Sequence, residues 1–210
     1  MEFISIMEII GTVAFAVSGT LVAIEKELDH YGIIFFAIIT AVGGGIIRDV
    51  LIDLPLPVAL SNPFYVLISI GTGIVIILFY RKLVRYQNIL QFFDAIGLAA
   101  FTAIGAQAAL VHDVYTPFVV ITLAVLTGTG GGSLRDVFAK DIPFVFRKEV
   151  YAAASIAGAI VFMAAFYILK RAQLSMYICF GVTLAIRLLA VKFNWHLAKV
   201  KLIAEDQEQK

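Results

Sequence analysis

Two arginine–aspartate pairs stand beside glycine triplets inside otherwise apolar sequence. The first reads Gly43-Gly44-Gly45-Ile46-Ile47-Arg48-Asp49-Val50 and the second Gly130-Gly131-Gly132-Ser133-Leu134-Arg135-Asp136-Val137, 87 residues later (43 to 130). An ionised side chain in an apolar run marks a functional position by default, and its partner has to be found. An unpaired buried charge costs on the order of several kcal/mol. The adjacent Asp49 lies about 100° away around a helix and is not the natural facing partner of Arg48. Glu8 and Asp94, each near the end of a neighbouring apolar run and at the matching depth, are better placed. The expected ion pairs are therefore Glu8–Arg48 and Asp94–Arg135, with charged groups within about two hydrogen-bond lengths. Asp49 and Asp136 are left to line the mouths of a path or to cap restarted helices electrostatically.

The glycines carry the second chemical expectation. Three in a row pack no side chain and weaken a helix, so a break is expected at each triplet. In a bilayer, freed backbone groups are tolerated only against other protein or a wet cavity. Carbonyls ending the first half of a broken helix can coordinate a desolvated cation. N–H groups opening the second half, with an arginine behind them, favour an anion or carboxylate. The sequence leaves both open. Ser18, Thr40, Thr127, Thr129 and Ser133, with Thr102 and Gln107, offer neutral dipoles for a path; each also suits a helix–helix hydrogen bond.

The elements that must position these groups are membrane spans. Of 210 residues, 61% are hydrophobic and 15% charged, with a mean hydropathy of +0.98. A soluble domain of this length could not hide so much apolar surface, whereas one crossing takes about 20 apolar residues. Seven spans are predicted: Phe3–Ile24, Tyr31–Ile52, Pro63–Tyr80, Phe92–Val111, Thr116–Phe138, Val150–Leu169 and Leu174–Val191. They form one membrane domain over 1–198, followed by a polar cytoplasmic tail over 199–210. The acidic start at Glu2 and Glu8 argues for an uncleaved first helix over a signal peptide.

The repeat extends past the glycines. Glu8-Ile9-Ile10-Gly11 matches Asp94-Ala95-Ile96-Gly97, Ala14-Phe15 matches Ala100-Phe101, and Gly19 matches Gly105. Repeat one covers 3–86, repeat two 92–172, and a seventh helix 174–198 is left over. Three spans per copy is an odd number, so the copies enter from opposite sides. The predicted fold is thus all-α: an inverted 3+3 repeat plus a seventh helix, with helices two and five broken at the triplets. Lys26, Arg81, Lys82, Arg85, Lys140, Arg147, Lys148, Lys192, Lys199 and Lys201 fall on one side, against Lys170 and Arg171 on the other. That bias puts the N-terminus outside and the C-terminus in the cytoplasm, with Trp195 as an inner interfacial anchor. Arg48 then approaches the outer face and Arg135 the inner one.

Other chemistries find little support. Cys179, the single cysteine, reads as a small buried apolar residue. His30, His112 and His196 fall at span ends, and no ligand-spaced cluster suggests a resident metal. No nucleophile–base pattern suggests an enzyme, no basic–aromatic patch a nucleic-acid partner, and no Gly-Lys-Ser/Thr ending a phosphate loop. Lys148 and Glu149, before span six, read as ordinary topology charge, as a surface for anionic lipid heads, or as a lever at the inner mouth.

At Gly43–Asp49, Gly130–Asp136 and Lys148-Glu149-Val150 the sequence resembles the bacterial branch of the trimeric intracellular cation (TRIC) channel family, also described as a glycine-transporter-type membrane domain. The resemblance implies a homotrimer in the bacterial plasma membrane with one pore per subunit. Each pore would run between spans two and five, kinked at the triplets and passing potassium and sodium without a cofactor. Phosphoinositide binding, which in animal relatives lies near the Lys-Glu-Val stretch, would fall to Lys148. The alternative is a carrier of a small solute such as glycine, since inverted repeats serve alternating access equally well.

Overall fold

In the computed structural model, residues 2–83, 85–86, 88–147 and 150–195 are described, with the side chains of 2–5 excepted. Lys148, Glu149, His196 and the expected tail at 199–210 lie outside the described residues. Nine helices are assigned there: α1 (Glu2–Glu25), α2 (His30–Leu51), α3 (Val58–Ser61), α4 (Phe64–Leu83), α5 (Ile89–Val111), α6 (Pro117–Phe138), α7 (Phe144–Arg147), α8 (Val150–Leu169) and α9 (Ala172–Lys192).

Seven of these, all but α3 and α7, are long and apolar enough to cross a membrane. At 20 to 24 residues each reaches roughly 30–36 Å, about the hydrocarbon thickness. The chain is a multi-pass membrane protein. Local signals set the helix ends. Asp29 caps α2 by accepting from Gly32 N at 2.7 Å, and Thr116 caps α6 from Val119 N at 3.4 Å, with Pro117 at the first turn. The exits are less conventional: Glu27, Asp53, Asp113, Lys140, Lys170 and Asn194 all take positive φ just beyond a long helix. Glycine usually fills such left-handed positions.

α1, α2, α5 and α6 form the centre, with α1 packed on α5 and α2 on α6. α4 packs on α1 and α2, α8 on α5 and α6, and α9 fills the angle between α5 and α8. The two halves meet about an approximate two-fold axis, and the packing shows it residue by residue. A Cβ added to Gly11 would meet Phe101 at 3.0 Å, and one on Gly97 would meet Phe15 at 2.2 Å. Phe15 and Phe101 themselves stack with centroids 5.4 Å apart. These pairings run antiparallel along α1 and α5, as an inverted repeat requires.

The glycine triplets depart from expectation. Neither takes the form of an unwound segment: α2 and α6 stay helical through Gly43–Gly45 and Gly130–Gly132, and no described glycine has positive φ. Their missing side chains serve proximity instead. A Cβ on Gly44 would sit 2.2 Å from the Thr127 carbonyl oxygen, and one on Gly131 would sit 2.1 Å from that of Thr40. Gly130 faces the Cα of Gly44 at 3.1 Å by the same measure. The backbones of α2 and α6 therefore touch where they cross. Small residues allow such contact in membranes, where apolar burial does not by itself drive helices together.

Candidate functional site

The antiparallel crossing puts Arg48 beyond one end of the contact and Arg135 beyond the other. At the Arg135 end the expected pair is formed: Nη1 lies 2.7 Å from Asp94 Oδ1, with both side chains 0% exposed. The same nitrogen donates to Ser18 Oγ. At the Arg48 end the matching pair is looser, Nη1 to Glu8 Oε1 being 3.8 Å. Glu8 accepts instead from the Tyr65 hydroxyl.

The adjacent aspartates are closer partners than helical spacing implies. Arg48 Nε donates to Asp49 Oδ1 at 2.7 Å, and Arg135 Nε to Asp136 Oδ1 at 2.8 Å. The reading that these carboxylates do not face their arginines is thus corrected. A guanidinium on three methylenes can fold back across the angle that separates consecutive Cβ atoms, and buried charge rewards the shortest pairing. Each aspartate also holds a backbone amide, for Asp49 Oδ2 accepts from Val58 N and Asp136 Oδ2 from Phe144 N, both at 2.8 Å. Those amides open α3 and α7. The aspartates thus cap the short helix that follows, not a restarted half of their own.

Tyrosines complete both clusters. Tyr65 on α4 and Tyr151 on α8 stand 86 positions apart (65 to 151), the offset that relates Glu8 to Asp94. The Tyr151 hydroxyl faces Asp94. Extending the repeat into spans three and six would have found both. Arg187 on α9 also escaped the sequence reading, because arginines inside spans do not count toward topology charge. It is 2% exposed, and its guanidinium stacks on the Tyr151 ring at 4.8 Å. Phe144 covers the other guanidinium, that of Arg135, at 4.9 Å.

The two ends differ in access. Two cavities open beside Glu8, Arg48 and Asp49. One, lined also by Thr12, Gly45 and Tyr65, reaches Phe101; the other, of about 130 Å³, includes Gln107 and His112. No residue of α6 lines either, so both stop short of α6. Of the polar candidates, Thr40 and Thr127 are 0% exposed, their hydroxyls without partners and lodged against Gly19 and Gly105. Thr129 donates to the Val125 carbonyl, Thr102 bonds Ser155, and Ser133 is partly buried. Cys179 is buried as expected.

Comparisons with known proteins agree with this architecture. The pattern of the family described as "Glycine transporter" matches residues 5–81 and 91–167, one block per repeat. The UPF0126 inner membrane protein YadS of Escherichia coli (strain K12) is 36% identical over 203 residues, covering 96% of each chain. The UPF0126 membrane protein YvgT of Bacillus subtilis (strain 168) is 38% identical and covers 91% of this chain and 94% of its own. Among solved structures, one described as a TRIC cation channel superposes with a TM-score of 0.85 at 31% identity, covering 94% of this chain and 97% of that one. The TRIC trimeric intracellular cation channel orthologue from Rhodobacter sphaeroides gives 0.87 at 29%, covering 93% and 100%. With both halves matched and its paired arginine clusters in place, this chain belongs to the glycine-transporter family of membrane proteins and has the TRIC channel fold.

Proposed function

We propose that the chain is a homotrimeric channel for monovalent cations, potassium and sodium, with one path per subunit between α2 and α6. One conjunction carries the reading. A cavity lined by Glu8, Arg48 and Asp49 runs along α2 as far as Gly45 and Ala41, beside the α2–α6 crossing, in a fold whose solved relatives are TRIC cation channels. The conformation described is then a closed one, because backbone contact at Gly44 and Gly131 leaves no bore. Opening would part the two helices at Gly43–Gly45 and Gly130–Gly132, lifting Leu134 off Gly43 and Ile47 off Gly130. Parting would expose Ser18, Thr40, Thr127, Thr129 and Ser133 to the path. Arg48–Asp49 and Arg135–Asp136 would remain as fixed charges at its mouths. The bias of basic residues to one set of loops supports an orientation in a bacterial inner membrane with the Arg48 end outside and the Arg135 end in the cytoplasm. Lys148 and Glu149 are proposed contacts for anionic lipid at that inner mouth.

Reconstitution tests this. Purified protein in planar bilayers should give unitary currents that reverse near the cation equilibrium potential, and Arg48→Ala or Arg135→Ala should change conductance or ion preference. Unchanged currents in both variants would remove the arginines from the path. The carrier reading is favoured by one observation: at the Arg48 end the ion cluster itself lines the cavities, offering guanidinium and carboxylate 3.8 Å apart to a small zwitterion such as glycine. It predicts saturable solute uptake into proteoliposomes and no unitary events.

A further inference from the structure

The two ion clusters are related by symmetry, yet their charges do not match. Glu8, Arg48 and Asp49 carry a formal charge of −1. Asp94, Arg135 and Asp136 repeat that arrangement, but α9, which has no counterpart in the first repeat, adds Arg187. This third arginine has no carboxylate within ion-pair distance among the described residues, and its Nε, buried, has no hydrogen-bond partner. It rests on the face of the Tyr151 ring at 4.8 Å, and the Tyr151 hydroxyl in turn faces Asp94. On its other side Arg187 lines a polar cavity of about 60 Å³ with Asn88, Gln91, Asn194 and Trp195. It thus stands between that cavity and Asp94.

A cation stacked on a ring keeps its full charge, because the quadrupole attracts it without neutralising it. With low-dielectric helices around it, the field is directed into the cavity and toward Asp94. We infer that Arg187 is a tethered counter-cation. Behind the Tyr151 ring it supplies a fixed positive charge that the Arg48 end lacks, and it makes the cavity it lines positive while the cavity at the Arg48 end is negative. Resting on the channel reading, the consequence for conduction is an electrostatic barrier at the Arg135 end that the opposite end lacks.

The field is measurable without any current. In a Cys179→Ser background, single cysteines replace Gln91 in the Arg187 cavity and Ala108 in the Arg48 cavity. Detergent-solubilised protein, open at both ends, is treated with cationic and with anionic methanethiosulfonate reagents, and the rates are normalised to a free thiol. The cysteine at 91 should favour the anionic reagent and the one at 108 the cationic. Each preference should be fivefold or more, because one unit charge a few ångströms away in a wet cavity speeds one reagent and slows the other, each by roughly that factor before screening. Arg187→Gln should remove the preference at 91, and Arg187→Lys should keep it. Equal preferences at the two cysteines of the otherwise unaltered protein, or a preference at 91 that survives Arg187→Gln, would overturn the inference. The comparison of 91 with 108 decides alone if Arg187→Gln does not fold. In bilayers, Arg187→Gln should raise cation current entering from the Arg135 end relative to the other direction, and an unchanged ratio of the two currents would also overturn it. Wild-type protein that shows the field but passes no current would remove the channel reading and leave the tethered charge standing.

Discussion

Replacing Gly44 or Gly131 with alanine tests the close crossing directly. The added methyl at Gly131 would stand 2.1 Å from the Thr40 carbonyl oxygen, whereas ordinary contact begins near 3.4 Å. The helices would have to separate by more than an ångström, and the obstructing atom is backbone that cannot swing aside. Overpacking of this kind costs about 1–3 kcal/mol, and a rigid obstacle puts it at the upper end. Against it stands the gain in helix propensity from glycine to alanine, about 1 kcal/mol. Each variant should therefore lose about 2 kcal/mol. Gly71 supplies the control: it is exposed on α4 and its added methyl would meet nothing within 4 Å, so Gly71→Ala should gain up to about 1 kcal/mol. Thermal unfolding of purified protein reads the difference. At about 2–4 °C per kcal/mol, Gly44→Ala and Gly131→Ala should melt roughly 4–8 °C below wild type, and Gly71→Ala at or above it. If all three variants melt together, the crossing is not a backbone contact and the reasoning fails.

The same measurement ranks the charged groups. Asp94→Asn leaves Arg135 short of a fully buried partner and should cost about 3–5 kcal/mol; Glu8→Gln, 3.8 Å from a buried arginine that keeps Asp49 at 2.7 Å, should cost less, about 1–2 kcal/mol. Tyr65→Phe removes the hydroxyl donated to Glu8 and should lower stability by about 1 kcal/mol. Lys26→Ala breaks an ion pair with Asp141 whose side chains are 38% and 42% exposed, so its effect should stay below about 1 kcal/mol and shrink in high salt. Lys140→Gly relieves a left-handed φ of 57° and should raise the melting point, by up to about 1 kcal/mol of stability.

What could be read from the sequence was whatever depends on depth and periodicity. Seven apolar runs give seven spans because a bilayer leaves the backbone few other choices. The pairing of Arg135 with Asp94 followed from equal depth in adjacent helices, and Arg48 with Glu8 followed likewise, though less tightly. What escaped depends on reach and on neighbours. The fold-back of each arginine onto the next aspartate turns on side-chain length, which angular spacing ignores. The glycine triplets looked like breaks because propensities describe an isolated helix in water; α6 lying against α2 turns the same residues into contact points. Arg187 was invisible for another reason: a lone charge in the last span has no repeat partner to flag it.

The reciprocity of the crossing has an evolutionary meaning. Each half presents glycine to a carbonyl of the other and receives the same in return, so the interface is self-complementary. A gene encoding only the first three spans would make a peptide able to dock with an upside-down copy of itself. Such a product would have to enter the bilayer both ways up to assemble. Fusing two copies ends that ambiguity, and it frees one end to acquire a helix, α9, that the other end never receives.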